Sequence, residues 1–331
     1  MSSFSAQRYD NMIYRQCGKW GLKLPAISLG AWETYGGYRG EETARECMFR
    51  AFDLGITNFD LANNYGKPPG NAEALVGKIL KEMPRDELII SSKAGYFMWP
   101  GPYGDWGSRK YLLASLERSL QRLGLDYVDI FYHHRPDPET PLEETLGALN
   151  DIVRSGKAIY AGISNYPGPL ADAACSLVAG RGWSPIALHQ PRYHLLERKI
   201  EADLLPVAKR HGFGIIAFSP LASGLLTDKY LDGIPAGSRA TQDAIATPRL
   251  LRELGNEAGV TRLRALAQLA RGRGQSLAQM ALAWVLRLPE VTSALIGASR
   301  VEQVEQNVAA LDNLKFDPDE LRRIDELVGR S

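Results

Sequence analysis

Short apolar runs recur about eight times along this chain, each followed by a longer stretch with helical spacing. The runs are ISLGAW (27–32), TNFDLA (57–62), LIISSK (88–93), VDIFYHH (128–134), AIYAGIS (158–164), IALHQ (186–190), GIIAFS (214–219) and SALIGA (293–298). Strand then helix, repeated eight times, leaves few folds open, and a (β/α)8 TIM barrel fits best. Strands apolar almost throughout are what a parallel sheet buried on both faces requires. A doubly wound Rossmann fold would need a glycine fingerprint after an early strand. The nearest approach to G-x-G-x-x-G, GRGQSL at 272–277, ends in leucine and lies between helical patterns.

The intervening stretches carry helix punctuation. In SRKYLLASLERSLQRLGL, Leu112, Leu116, Leu120 and Leu123 share a face, with Ser108 as N-cap and Gly124 as stop. In TPLEETLGALNDIVRSG, Thr140 is the expected cap, Pro141 opens the helix and Gly156 ends it. Upstream of the first strand, YRQCGKWGLKLPAI reads as a β-hairpin plug over the barrel bottom. Residues 222 to about 258 read as a long loop after the seventh strand, followed by helical patterns near 259–273 and 276–288. DPDELRRIDELVG is an extra C-terminal helix, capped by Asp317 with Pro318 behind it. A length of 331 residues alone would suggest about two domains, but barrels of this size fold as one, so a single domain over 1–331 is expected.

Charge narrows the partners. Lysine plus arginine number 39 against 38 acidic residues, interspersed, so no basic field exists for nucleic acid or an anionic membrane surface. Cys17, Cys47 and Cys175 are far apart without metal-ligand spacing, so no metal is expected and a reduced, cytoplasmic setting fits. The opening MSSFSAQRYDNM has no apolar core for a signal peptide, and no run of about 18 apolar residues spans a membrane.

Barrels of this class hold their sites at the C-terminal ends of the strands. Reading off those ends gives Asp60 and Tyr65 after the second strand, Lys93 after the third and His133-His134-Arg135 after the fourth. Ser164 and Asn165 follow the fifth, Gln190 the sixth, Phe218 and Ser219 the seventh, and Gly297 to Arg300 the eighth. A carboxylate at the end of a buried strand needs a partner, and Lys93 on the neighbouring strand is the expected one. An ammonium near Tyr65 is expected to lower the phenol's pKa, fitting it to pass a proton near neutral pH. With a histidine donating to a carbonyl oxygen, the four groups form an acid that polarises a carbonyl.

NFDLANNYG, SSKAGY, YVDIFYHHRPD, GISNY, AFSPLASGLLT and IGASRVEQVEQN resemble, in order and spacing, the motifs of the aldo-keto reductases, over about residues 12 to 328. AGYFMWPGPYGDWGSRKYL and FYHHRPDPETPL resemble the bacterial L-glyceraldehyde-3-phosphate reductase branch, which lies near the potassium-channel β subunits. The resemblance implies Tyr65 as general acid, Asp60 and Lys93 as its tuning pair, and one histidine orienting the carbonyl. His134 aligns with the family histidine, and strand alternation puts His133 on the other face, as packing. It implies NADPH as cofactor, with Ser164, Asn165 and Gln190 on the carboxamide and Phe218 under the nicotinamide ring. Ser219, Leu221, Gly224 and Lys229 would meet the pyrophosphate. Gly297, Ser299, Arg300, Gln303 and Asn307 would surround the adenosine end, where Ser299 and Arg300 suit a 2′-phosphate.

The aromatic residues Trp32, Tyr35, Tyr96, Trp99 and Trp106 are expected around the mouth, and Arg39, Lys67 or Arg135 would meet a substrate phosphate. The substrate expected from the resemblance is a small aldehyde or ketone, with L-glyceraldehyde 3-phosphate and methylglyoxal foremost. A homo-oligomer is compatible with such a barrel. Two other readings stand beside this one: a redox-sensing regulatory subunit that binds NADPH, and a broad-specificity aldehyde detoxification reductase.

Overall fold

The structure, a computed structural model, describes residues 4–236, 238, 241 and 247–329. Two short strands, β1 (Tyr14–Gln16) and β2 (Lys23–Pro25), pair antiparallel. Eight more close into a parallel barrel: β3 (Ile27–Gly30), β4 (Asn58–Asp60), β5 (Ile89–Ala94), β6 (Val128–His133), β7 (Ala158–Ser164), β8 (Ile186–Gln190), β9 (Gly214–Phe218) and β10 (Val291–Ile296), with β10 returning to β3. The expected barrel is therefore the observed one.

Helices wrap the outside: α1 (Glu41–Asp53), α2 (Asn71–Leu80), α3 (Arg109–Leu123), α4 (Leu142–Arg154), α5 (Gly168–Gly180), α6 (Ile200–Asp203) and α7 (Leu205–His211) up to β9. Beyond it come α8 (Thr247–Leu254), α9 (Glu257–Gly272), α10 (Leu277–Val285), α11 (Val301–Val308) and α12 (Pro318–Leu327). No described helix is long and apolar enough to cross a membrane.

Local chemistry explains most boundaries. Ser108 Oγ accepts from Tyr111 N at the start of α3, and Gly124 ends it in the left-handed region. Ser276 and Asp317 each form a capping box, with Gln279 and Glu320, at the starts of α10 and α12. Thr140 is not the cap of α4. Pro141 occupies that position, and its extended backbone starts the helix without a side-chain hydrogen bond. The segment after β9 is also less loop-like than expected. It holds single turns at Ala222–Gly224 and Asp228–Tyr230, and α8, whose Leu250 is buried. The rest of that expected loop, at 237, 239–240 and 242–246, lies outside the described residues.

The β1–β2 hairpin stops the N-terminal end of the barrel. Cys17, Leu22 and Leu24 are buried against Ile130, Tyr132, Leu188 and Ile216 from the strands. Gly18 makes the closure possible. Its φ is +57°, and a Cβ there would stand 2.2 Å from the carbonyl oxygen of Gly212.

Outside the barrel, Glu201 joins three elements: it accepts from Tyr193 Oη (2.6 Å), Arg198 Nε (3.1 Å) and Arg287 Nη2 (2.9 Å). Burial pushes this carboxyl up, but the hydrogen bonds from Arg198, Tyr193 and Arg287 outweigh it and leave its pKa at about 2. An acid lowered by folding stabilises above its unfolded pKa, near 4.3, and that stabilisation disappears as pH falls through the folded value. Glu201→Gln is therefore expected to flatten the loss of stability between about pH 4.5 and 2, an effect of at most about 3 kcal/mol measured by urea unfolding. An unchanged acid profile would refute this.

Candidate active site

Register fixes what enters the barrel. Asp60 lies opposite Ser91, Lys93 opposite Tyr132, and Ser164 opposite Gln190. Parallel partners share a face, so Asp60, Ser91, Lys93 and Gln190 project inward near the C-terminal ends of β4, β5 and β8.

Asp60 is 1% exposed and fully paired. Its Oδ2 accepts from Lys93 Nζ at 2.5 Å, and its Oδ1 accepts from Ser91 Oγ at 2.6 Å and Gln190 Nε2 at 3.0 Å. Lys93 Nζ also donates to the carbonyl of Leu61 at 2.6 Å, which lies where β4 leaves the barrel. The partner expected for Asp60 is the one found. Ser91 is the one sequence reasoning missed, although it sits two residues before Lys93 on the same face. Gln190 turns its amide nitrogen into this cluster.

Tyr65 stands over the pair, with Lys93 Nζ 5.2 Å from its ring centroid. The turn that presents it is fixed by its own backbone, whose carbonyl accepts from Gly70 N and Ala72 N. Gly66 (φ +100°) allows it, since a Cβ there would lie 2.5 Å from Ala72 N.

The expected lowering of Tyr65 by Lys93 does not occur. Burial first, then the Asp60 carboxylate and Tyr96, hold the phenol well above its ordinary value. The ammonium is itself pushed down by burial, and its charge is turned toward Asp60. Tyr65 is a protonated phenol at neutral pH.

His134 completes the group, edge-on to Tyr65 (centroids 5.9 Å apart) and Tyr96 (4.7 Å). Burial, then Lys93, His133 and Arg135, push its pKa well below 6.5, so it is a neutral imidazole. Its Nδ1 is buried without a hydrogen-bond partner among the described residues. His133 faces the other way, as expected, its Nδ1 2.7 Å from Tyr166 Oη.

The remaining expected residues follow the C-terminal ends of β7, β9 and β10. Ser164 Oγ donates to the carbonyl of Gln190 (2.8 Å), and Asn165 Nδ2 donates to the carbonyl of His134 (3.0 Å). Phe218 ends β9, half-buried, followed by Ser219, Leu221, Gly224 and exposed Lys229. Gly297 is exposed after β10 and Asn307 is buried on α11. Gln303 Oε1 accepts from Ser299 N (2.9 Å) and Oγ (3.2 Å), and Arg300 caps α11 from an exposed position.

Trp32, Tyr96 and Trp99 are half-buried on loops after β3 and β5, and Lys67 is exposed beside the ring of Tyr38. Tyr35 is the exception. At 1% exposure it is packed in the core beside Cys47 of α1, so it does not line the mouth. Its ring points outward between barrel and helix.

Backbone strain marks the same end of the molecule. Glu33, Trp106, Asn165, Ser219, Ala222 and Ser223 are the non-glycine residues with positive φ among the described residues. All six lie on loops that leave the C-terminal ends of barrel strands, where strained backbone is held for binding or chemistry.

Comparison with known proteins shows the family. Residues 26–328 match the model of the Aldo/keto reductase family. The chain belongs to that family. It is 54% identical over 325 residues to the L-glyceraldehyde 3-phosphate reductase of Escherichia coli K12, covering 97% of this chain and 93% of that one. It is 38% identical over 327 residues to a putative voltage-gated potassium channel subunit beta of Schizosaccharomyces pombe, covering 96% and 94%. A probable subunit of the same kind from Arabidopsis thaliana is 35% identical over 308 residues, covering 91% and 92%. As an aldo/keto reductase the protein is an oxidoreductase, and its barrel and N-terminal hairpin are those of the family.

Proposed function

We propose that this aldo/keto reductase is an NADPH-dependent reductase of small aldehydes, with L-glyceraldehyde 3-phosphate and methylglyoxal as its foremost substrates. The observation that carries the reading is the convergence of Asp60, Lys93, Tyr65 and His134 at one end of the barrel. The sugar-phosphate preference is supported by the identity to the Escherichia coli enzyme.

Tyr65 is the general acid: a phenol kept protonated by burial donates to the carbonyl oxygen as charge develops there. His134, neutral and with Nδ1 buried, offers Nε2 to the same oxygen and fixes its direction. Asp60 holds the Lys93 ammonium under the Tyr65 ring, and this paired floor fixes where the ring stands.

The ring of donors suits a dinucleotide. Ser164, Asn165 and the Gln190 carbonyl oxygen match a carboxamide, Phe218 matches a flat ring, and the strained turn with Ser219, Leu221, Gly224 and Lys229 matches a pyrophosphate. Ser299 and Arg300, with Gly297, Gln303 and Asn307, match an adenosine carrying a 2′-phosphate at the start of α11. Bound NADPH would supply the hydride.

The test is loss of the reduced-nicotinamide absorbance with glyceraldehyde 3-phosphate, methylglyoxal and a nitrobenzaldehyde. Turnover with a preference for the small aldehydes supports the proposal. Equal turnover of all three favours broad detoxification. The likeness to the channel subunits supports a second reading, a redox-sensing regulatory protein. Binding of NADPH with no oxidation by any carbonyl would make that reading the better one.

A further inference from the structure

Arg135 follows His134 directly and is held more elaborately than a surface arginine needs. Its guanidinium lies between two aromatic faces, with Cζ 3.6 Å from the Trp106 centroid and 4.3 Å from that of Tyr96. Nε donates to the carbonyl of Gly95 (2.7 Å) and Nη2 to Asp105 Oδ1 (2.8 Å). Asp105 Oδ1 also accepts from Trp106 N (2.6 Å), and Trp106 carries a φ of +68°. All four contacts come from the loop after β5, which folds around this one side chain.

Stacking removes water from both faces of a guanidinium and leaves its edges for hydrogen bonding. Here the Nε edge is occupied. Nη2 gives one N–H to Asp105, whereas Nη1 donates to no described residue and is not among the buried polar atoms, so Nη1 and the second N–H of Nη2 remain to offer a ligand. Tyr96 touches both Arg135 and His134. The two ring-to-group separations, 4.7 and 4.3 Å, put Cζ no more than about 9 Å from the His134 ring. A three-carbon aldehyde phosphate holds its phosphorus four covalent bonds from the aldehyde carbon. That length, with one hydrogen bond at each end, spans such a distance.

We propose that Arg135 is the specificity-determining residue that binds the phosphate monoester of the substrate, pre-set by Tyr96, Trp106 and Asp105. This deepens the reductase reading and rests on it. Arg39 and Lys67, the other two cations expected near the mouth, are exposed, and neither is held in such a cage. An ordered guanidinium loses less freedom on binding and offers phosphate a fork where lysine offers a point charge.

The experiment compares kcat/KM for glyceraldehyde 3-phosphate and for unphosphorylated glyceraldehyde in the wild type, Arg135→Met and Arg135→Lys. Calorimetric binding of glycerol 3-phosphate, the reduced product, is measured on the same proteins. Arg135→Met is expected to lower kcat/KM for the phosphorylated aldehyde roughly 10- to 100-fold, through KM, and to weaken glycerol 3-phosphate binding alike. Glyceraldehyde should change less than about threefold, and Arg135→Lys should recover only part of the loss.

An equal fall for both aldehydes would show that Arg135 merely pins the loop. No change for either, or a wild type indifferent to phosphate, would also overturn the proposal while leaving the reductase intact. If the wild type reduces no aldehyde, it is the reductase reading that fails, and the calorimetry alone decides the phosphate site.

Discussion

Tyr65→Phe is expected to lower kcat for aldehyde reduction by roughly 10²- to 10⁴-fold, the range for loss of a positioned general acid. NADPH affinity should change little, because the phenol is not among the residues matched to the dinucleotide. The pH profile gives a second readout. Burial holds Tyr65 protonated well beyond neutrality, so its proton is available for reduction throughout pH 6 to 9 and the reductive rate should be flat with respect to this group. Alcohol oxidation needs the proton-accepting form, so it should climb with pH without reaching a plateau in that interval. A reductive rate falling with a midpoint near neutrality in the wild type, but not in Tyr65→Phe, would mean that the phenol is lowered after all. A variant retaining more than about a tenth of wild-type kcat would assign the proton to another group.

Lys93→Met is expected to cost about 3–5 kcal/mol of stability, the penalty for leaving a buried carboxylate without its counter-charge. Ser91 and Gln190 still donate to Asp60, but neither carries charge. Asp60→Asn in the same chain should restore much of the loss, since the two changes together remove both charges from the interior. Denaturant midpoints of the two single variants and the double variant give the coupling directly. A cost below about 1 kcal/mol for Lys93→Met would mean that water reaches the pair, contrary to the complete burial of Lys93. Activity should fall in both single variants, so the stability cycle separates the structural part of this pair from its effect on Tyr65.

Much of the fold is legible in the amino-acid sequence. Apolar runs bounded by polar residues marked all eight barrel strands, because a strand buried on two faces has no other way to be written. The expected runs 27–32 and 57–62 overrun β3 and β4, since Ala31 and Leu61 continue the ladder by single hydrogen bonds after regular pairing ends, and the expected 293–298 starts two residues late for β10. Asp60 and Lys93 were legible because isolated charges in apolar runs demand a partner. The rise in Tyr65's pKa was not, for it depends on how deeply the ring is covered, which no residue spacing states. Tyr35 misled for a related reason: an aromatic after a strand can turn to either layer, and here it turns toward α1. α8 was missed because its eight residues carry only a brief periodicity among loop-like neighbours.

The hairpin that stops the barrel also bears on the kinetics. Cys17, Leu22 and Leu24 fill the far end, which leaves the C-terminal ends of the strands as the side of approach. A carbonyl compound and a dinucleotide bound as proposed would share that side, and whichever lay deeper would have to arrive first and depart last. A cofactor amide seated on Ser164, Asn165 and Gln190 would be that deeper guest. Steady-state turnover should then follow a compulsory sequence, with the oxidised dinucleotide competing against the reduced one and the alcohol product competing against neither.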